Sequence, residues 1–168
     1  MKNDKVLVVN GDGGLVYCGY ATSVTVNNVN FTNVEGTAYT KSGGGMFIGT
    51  VSGAVSFANV TFTNTSVRSG SSSFYSRGGA LYIENAKSTV TLDNVNFTNC
   101  HAMNYGDGGA LYIAGDSTKS ITLRDVDFTN TDASRNGGAV YIKGDVNGLK
   151  FDDVDFINVT AKSTSGGA

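Results

Sequence analysis

Proline and tryptophan are absent from this chain of 168 residues, histidine occurs once and cysteine twice. Each shortage removes a class of protein. A net charge of -2 and a pI near 5.2 leave no basic footprint for nucleic acid. No apolar run approaches the ~20 residues of a membrane-spanning helix, and Met1-Lys2-Asn3-Asp4-Lys5-Val6 lacks the long apolar core of a signal peptide. The lone His101 follows Cys100, but adjacent residues at a strand end point to opposite sides, so a nucleophile pair is not expected there. What is abundant is glycine, at 23, together with Asn, Thr and Ser, a balance that suits strands and tight turns rather than helices.

These residues are not scattered. The stretch Val90-Thr91-Leu92-Asp93-Asn94-Val95-Asn96-Phe97-Thr98-Asn99 recurs, its phenylalanine returning as Phe31, Phe62, Phe128 and Phe156 at spacings of 31, 35, 31 and 28. A second motif keeps step: Gly78-Gly79-Ala80-Leu81-Tyr82-Ile83 matches segments beginning at Gly13, Gly43, Gly108 and Gly137. A period near ~30 residues signals a stack of units in place of one globular core. The chain reads as a single β-helix segment over 1–168, in which 1–12 are an N-terminal strand, Val6-Leu7-Val8-Val9, that closes or pairs with the first coil and meets a turn signal at Asn10-Gly11-Asp12-Gly13, and 13–168 are the repeats. The final Ser165-Gly166-Gly167-Ala168 opens another Gly-Gly motif, so the chain reads as part of a longer array.

Aligning the repeats on Phe exposes columns. Seven residues back stand Val24, Val55, Val90, Ile121 and Leu149; five back, Val26, Phe57, Leu92, Leu123 and Phe151; two back, Val29, Val60, Val95, Val126 and Val154. Period-two apolarity marks half-buried strand. The change of parity requires a corner, and Asn28, Asn59, Asn94, Asp125 and Asp153 stand where the chain must turn. The fold class is therefore all-β, a single-stranded parallel β-helix of about five coils of ~30 residues, right-handed by the general preference of parallel crossovers. Phe31, Phe62, Phe97, Phe128 and Phe156 are expected to form one internal ladder; Asn33, Asn64, Asn99, Asn130 and Asn158 are expected to form another, which would shield the sequons at Asn64 and Asn158. The paired glycines suit positive φ or close approach between coils. At about 4.8 Å per stacked strand, Cys18 and Cys100 lie roughly 10 Å apart on different faces, too far for a disulfide.

Alternation in the Gly-Gly strand turns Tyr17, Phe47, Tyr82, Tyr112 and Tyr141 outward in one column, the first choice for a contact surface. The longest loop, Thr65 to Arg77 with Ser71-Ser72-Ser73-Phe74-Tyr75, is a second place for a partner. Asp125 and Asp127 share columns with Asp153 and Asp155, a quartet whose oxygens suit calcium, the one cofactor considered; earlier coils carry Asn or Thr there. Arg124 stands between Asp93 and Asp152 in a charge ladder of structural character.

With Gly-Gly-Ala-Leu alternating with Phe-Thr-Asn, the chain resembles the repeats of chlamydial polymorphic outer-membrane proteins and the adhesin-like surface proteins of methanogenic archaea. Their Gly-Gly-Ala-Ile type tetrapeptide is met at Gly78 to Leu81, Gly108 to Leu111 and Gly137 to Val140; their Phe-x-x-Asn is replaced by Asn two residues after Phe. The resemblance implies a secreted or surface-displayed, non-catalytic adhesive array whose partners are itself end to end, or a host or cell-surface protein or glycan. The alternatives are a β-helix that binds or degrades polysaccharide, against which stands the lack of a basic cluster beside the Asp quartet, and an ice-binding face on Thr32, Thr63, Thr98 and Thr129, whose neighbouring column is not a Thr array.

Overall fold

Two parallel sheets account for every strand in the computed structural model, which describes residues 7–10, 14–38, 43–70, 74–115 and 118–162. Gly11-Asp12-Gly13, Ser71-Ser72-Ser73 and the motif at Ser165 to Ala168 lie outside the described residues. The strands run β1 (Leu7–Asn10), β2 (Val16–Ala21), β3 (Val24–Ala38), β4 (Met46–Val51), β5 (Val55–Ser69), β6 (Leu81–Ala86) and β7 (Thr89–Met103), then β8 (Leu111–Ala114), β9 (Ser120–Thr129), β10 (Asp132–Ala133), β11 (Val140–Lys143), β12 (Leu149–Ile157) and β13 (Thr160–Ala161). The Gly-Gly strands form one sheet in the order β11-β8-β6-β4-β2. In the other, β1, β3, β5 and β7 are succeeded by β9 and β12 on one side and by β10 and β13 on the next. The five levels enclose about four complete turns of a β-solenoid.

The repeat columns are the register. Phe31, Phe62, Phe97, Phe128 and Phe156 pair rung to rung, with ring centroids 4.6, 5.0, 4.9 and 5.1 Å apart and planes within 7° of parallel. Around this stack the valine, leucine and isoleucine columns of both sheets fill one buried core. Parallel in-register stacking forces identical side chains against one another, so each coil buries its apolar face only on its neighbours. The N-terminal strand β1 adds to β3, with Leu7 opposite Val34.

Corners occur at single left-handed residues. Asn28, Asn59, Asn94, Asp125 and Asp153 have φ of 50 to 56°, and Asn33, Asn64, Asn99, Asn130 and Asn158 have φ of 53 to 56°. Asn and Asp tolerate this region better than other residues with a Cβ. The second set forms a continuous amide ladder, each Nδ2 donating to the Oδ1 of the preceding coil at 2.9 to 3.1 Å. The ladder is external, not internal as expected, and Asn64, Asn130 and Asn158 are exposed. A left-handed residue bends the chain toward the core, which throws its own side chain to the outside of the corner. Replacing Asn99 by alanine is expected to cost about 1–2 kcal/mol through the left-handed backbone and the lost amide bonds. Asn99→Gly should cost less, and urea denaturation of both variants gives the comparison.

The residues beyond these corners are strand, where a loop was expected. β3, β5 and β7 continue to Ala38, Ser69 and Met103, and β10 follows on the same side; Val67 of β5, Ala102 of β7 and Ala133 of β10 form a separate buried cluster. Small side chains are required because the Gly-Gly segment crosses directly behind. Cys100 sits on this third side, fully buried, its Sγ 3.2 Å from the Thr65 hydroxyl that donates to it; Cys18 is half-buried, and both are free.

Candidate functional site

The Gly-Gly strands set the aromatic column in strict register, Tyr17, Phe47, Tyr82, Tyr112 and Tyr141, with centroids 4.9 to 5.3 Å apart. It points away from the main core, as alternation requires. It is not, however, an exposed ladder: Phe47 is fully buried and Tyr82 and Tyr112 are each 3% exposed, leaving Tyr17 exposed and Tyr141 half-buried. Neighbouring rings cover one another, and the Arg77 guanidinium lies 5.8 Å from the Tyr82 centroid and 5.6 Å from that of Tyr112. The column is thus a second, smaller core.

Burial pushes the Tyr82 and Tyr112 hydroxyls above the ordinary tyrosine range, with Arg77 acting in the opposite direction. Burial likewise pushes the Cys100 thiol up to about 12. All three are held neutral more strongly folded than unfolded, so their contribution to stability is complete below the unfolded pKa of cysteine and is lost as pH rises. The melting temperature is expected to fall between about pH 9 and pH 12, and to fall less in Cys100→Ala.

Around the buried rings the surface opens into two adjoining clefts that share Arg77, Tyr112 and Lys143. The larger, about 380 Å³, adds Tyr82, Glu84, Asn85 and Ala114; the smaller, about 230 Å³, adds Tyr75, Asp107, Arg135 and Tyr141. Ala114, in register with Lys143, is the small side chain in the lining of the larger cleft. Arg77 and Asp107, each just before a Gly-Gly pair, bridge as backbone partners. Asp107 is 7% exposed; its Oδ1 accepts from the Asn136 amide N and Nδ2 at 3.3 and 2.8 Å, and its Oδ2 lies 3.5 Å from the Arg135 guanidinium. Arg135 in turn stands 4.7 Å from the Tyr75 centroid. The column Arg77, Asp107, Asn136 is legible in the sequence as the residue preceding the last three of the five Gly-Gly pairs, all of them polar.

Elsewhere the expected residues are in place with less consequence. Asp127 pairs with Asp155, and with Asp125, Asp153, Asn94 and Asn96 they line an open cleft of about 290 Å³ on the first sheet. Among the described residues no group of three or more His, Cys, Asp or Glu is placed to hold a metal ion. Arg124 stands in register between Asp93 and Asp152, 3.9 Å from the Asp93 carboxylate; Lys150, 2.7 Å from Asp152, holds that carboxyl below the usual range, with the Arg124 charge acting in the same direction. His101 contacts Asp132 through Nδ1, a partner that counting four residues past Phe97 and Phe128 would have found. No helix among the described residues is long and apolar enough to cross a membrane. Comparison with protein-family models, with curated proteins and with solved structures gives no match for this chain.

Proposed function

We propose that the chain is an adhesin-like structural repeat protein, non-catalytic and displayed outside the cell or on its surface, whose contact surface is the flank bearing the two clefts. The observation that carries this is the pairing of the clefts with an interior closed by stacked side chains. Binding chemistry in such a solid rod belongs to its outside, and a rod of in-register coils holds a flank site rigidly at a distance. The repeat resemblance points the same way. Tyr82 and Tyr112 serve packing, so the test uses the exposed Tyr75. The chain is expected to bind in glycan-array and cell-surface assays, with binding reduced in Tyr75→Ala at unchanged melting temperature. No binding to any glycan or cell would overturn the proposal, and release of reducing ends from a polysaccharide would move it to the enzyme class.

A second reading, end-to-end stacking into fibres, is favoured by the last coil. Leu149, Phe151, Phe156 and Ile157 are 54, 45, 36 and 50% exposed, an apolar edge whose first three residues stand in the columns of Val24, Val26 and Phe31 of β3, where Val24 and Phe31 are buried. Such head-to-tail contacts propagate without closing. Sedimentation should show concentration-dependent association that Phe151→Asp removes; a strict monomer across a wide range would sink this reading.

A further inference from the structure

We infer that the smaller cleft is a receptor for the acid group of an anionic saccharide, a pyranose bearing carboxylate or sulfate. This rests on the adhesive reading and names its ligand. Three cations, Arg77, Arg135 and Lys143, line the cleft against one carboxylate, Asp107. That carboxylate is engaged by Asn136 and Arg135 and is 7% exposed, so it and Arg135 largely offset one another and the excess charge of the lining is that of Arg77 and Lys143. Lys143 is exposed and has no ion pair among the described residues. With Glu84 confined to the adjoining cleft, an incoming anion meets a net positive lining that includes the exposed Lys143 ammonium.

Aromatic surface stands beside these charges. Tyr75 is 42% exposed and carries Arg135 against its ring, while Tyr141 closes the other side half-buried. A sugar presents an apolar CH face that packs on such a ring and an acid group that a planar guanidinium pairs with in two parallel hydrogen bonds. Because Arg135 is anchored by Asp107 and Tyr75 before any ligand arrives, little side-chain freedom is lost on binding. The outer face of the other sheet carries Asp125, Asp127, Asp153 and Asp155. The rod therefore has one flank that attracts an acidic polymer and one that repels it.

The experiment is calorimetric titration of the intact 168-residue chain with dextran, dextran sulfate and polygalacturonate at low and high salt. Dextran sulfate, polygalacturonate or both are expected to bind at low salt and weaken as salt rises, with dextran unbound; which of the two binds identifies sulfate or carboxylate. Lys143→Glu should weaken binding about tenfold and Tyr75→Ala several-fold, whereas Lys119→Glu, an exposed lysine outside the cleft, should not change it. Thermal melting of each variant establishes that it is folded. Dextran binding as tightly as the acidic polymers, equal losses in Lys119→Glu and Lys143→Glu, or unchanged affinity in folded Lys143→Glu would each overturn the inference. If neither acidic polymer binds while the cell-surface assay is positive, this inference falls and the adhesive reading stands; if both are negative, both fall.

Discussion

Phe97→Ala is expected to lower the free energy of unfolding by roughly 3–5 kcal/mol, the usual range for emptying a buried phenylalanine site. Phe97 is wholly buried, sandwiched between Phe62 at 5.0 Å and Phe128 at 4.9 Å with ring planes 3° and 1° from parallel. Its removal leaves a void that neither neighbour can fill, because each is held by its own strand and by the next ring. The loss falls in the middle of a stack in which coils touch only their neighbours, so it weakens the joint between two halves. Phe156 offers the internal comparison: it is 36% exposed and stacks on one ring of the ladder, Phe128, at 5.1 Å. Phe156→Ala should cost less than half as much. Urea unfolding of both variants decides it; equal losses would show that the aromatic stack does not carry the stability.

Gly109→Ala is expected to be at least as damaging, about 4 kcal/mol or more, at the exceptional end for single substitutions. A Cβ at this position would stand 1.8 Å from the carbonyl oxygen of Gly138 in the next coil and 2.8 Å from the carbonyl carbon and oxygen of Asp132. All of these are backbone atoms, which cannot rotate aside. The same holds at Gly14, Gly44 and Gly79, each 1.8 to 1.9 Å from the carbonyl of its successor. The residue before it in the pair has a different constraint: Gly78, Gly108 and Gly137 have φ of 62, 68 and 58°. Gly148→Ala is the control, since its Cβ would meet nothing closer than 3.5 Å. Soluble yield and thermal denaturation by circular dichroism are the readouts. A melting temperature for Gly109→Ala close to that of Gly148→Ala would mean that the coils can separate at this point without cost.

Both predictions use residues singled out by periodicity alone, and that marks how far periodicity reaches. It is a property of one coil repeated, so it locates what must stack on its own copy: the Phe column, the Asn and Asp corners, the paired glycines and the all-β solenoid they imply. It was silent on what one side of a coil does to another. The segment after Phe-Thr-Asn read as loop because its inward residues, Val67, Ala102 and Ala133, are too small to announce a core. They are small because Gly79 and Gly109 pass directly behind, with a Gly79 Cβ falling 2.6 Å from the His101 nitrogen. The tyrosine column read as exposed because alternation gives direction, not cover.

The sequence by itself determined the coil, its register and the identity of its rungs, since in-register stacking places each residue on its own counterpart. Only the tertiary structure decided which outward residues meet solvent. Arg77, Asp107 and Arg135 come from different coils and converge beside Tyr75 and Tyr141, and the Asn ladder lies outside the wall. Those outcomes depend on how corners bend the chain and how segments far apart in sequence cross, distances that no repeat period encodes.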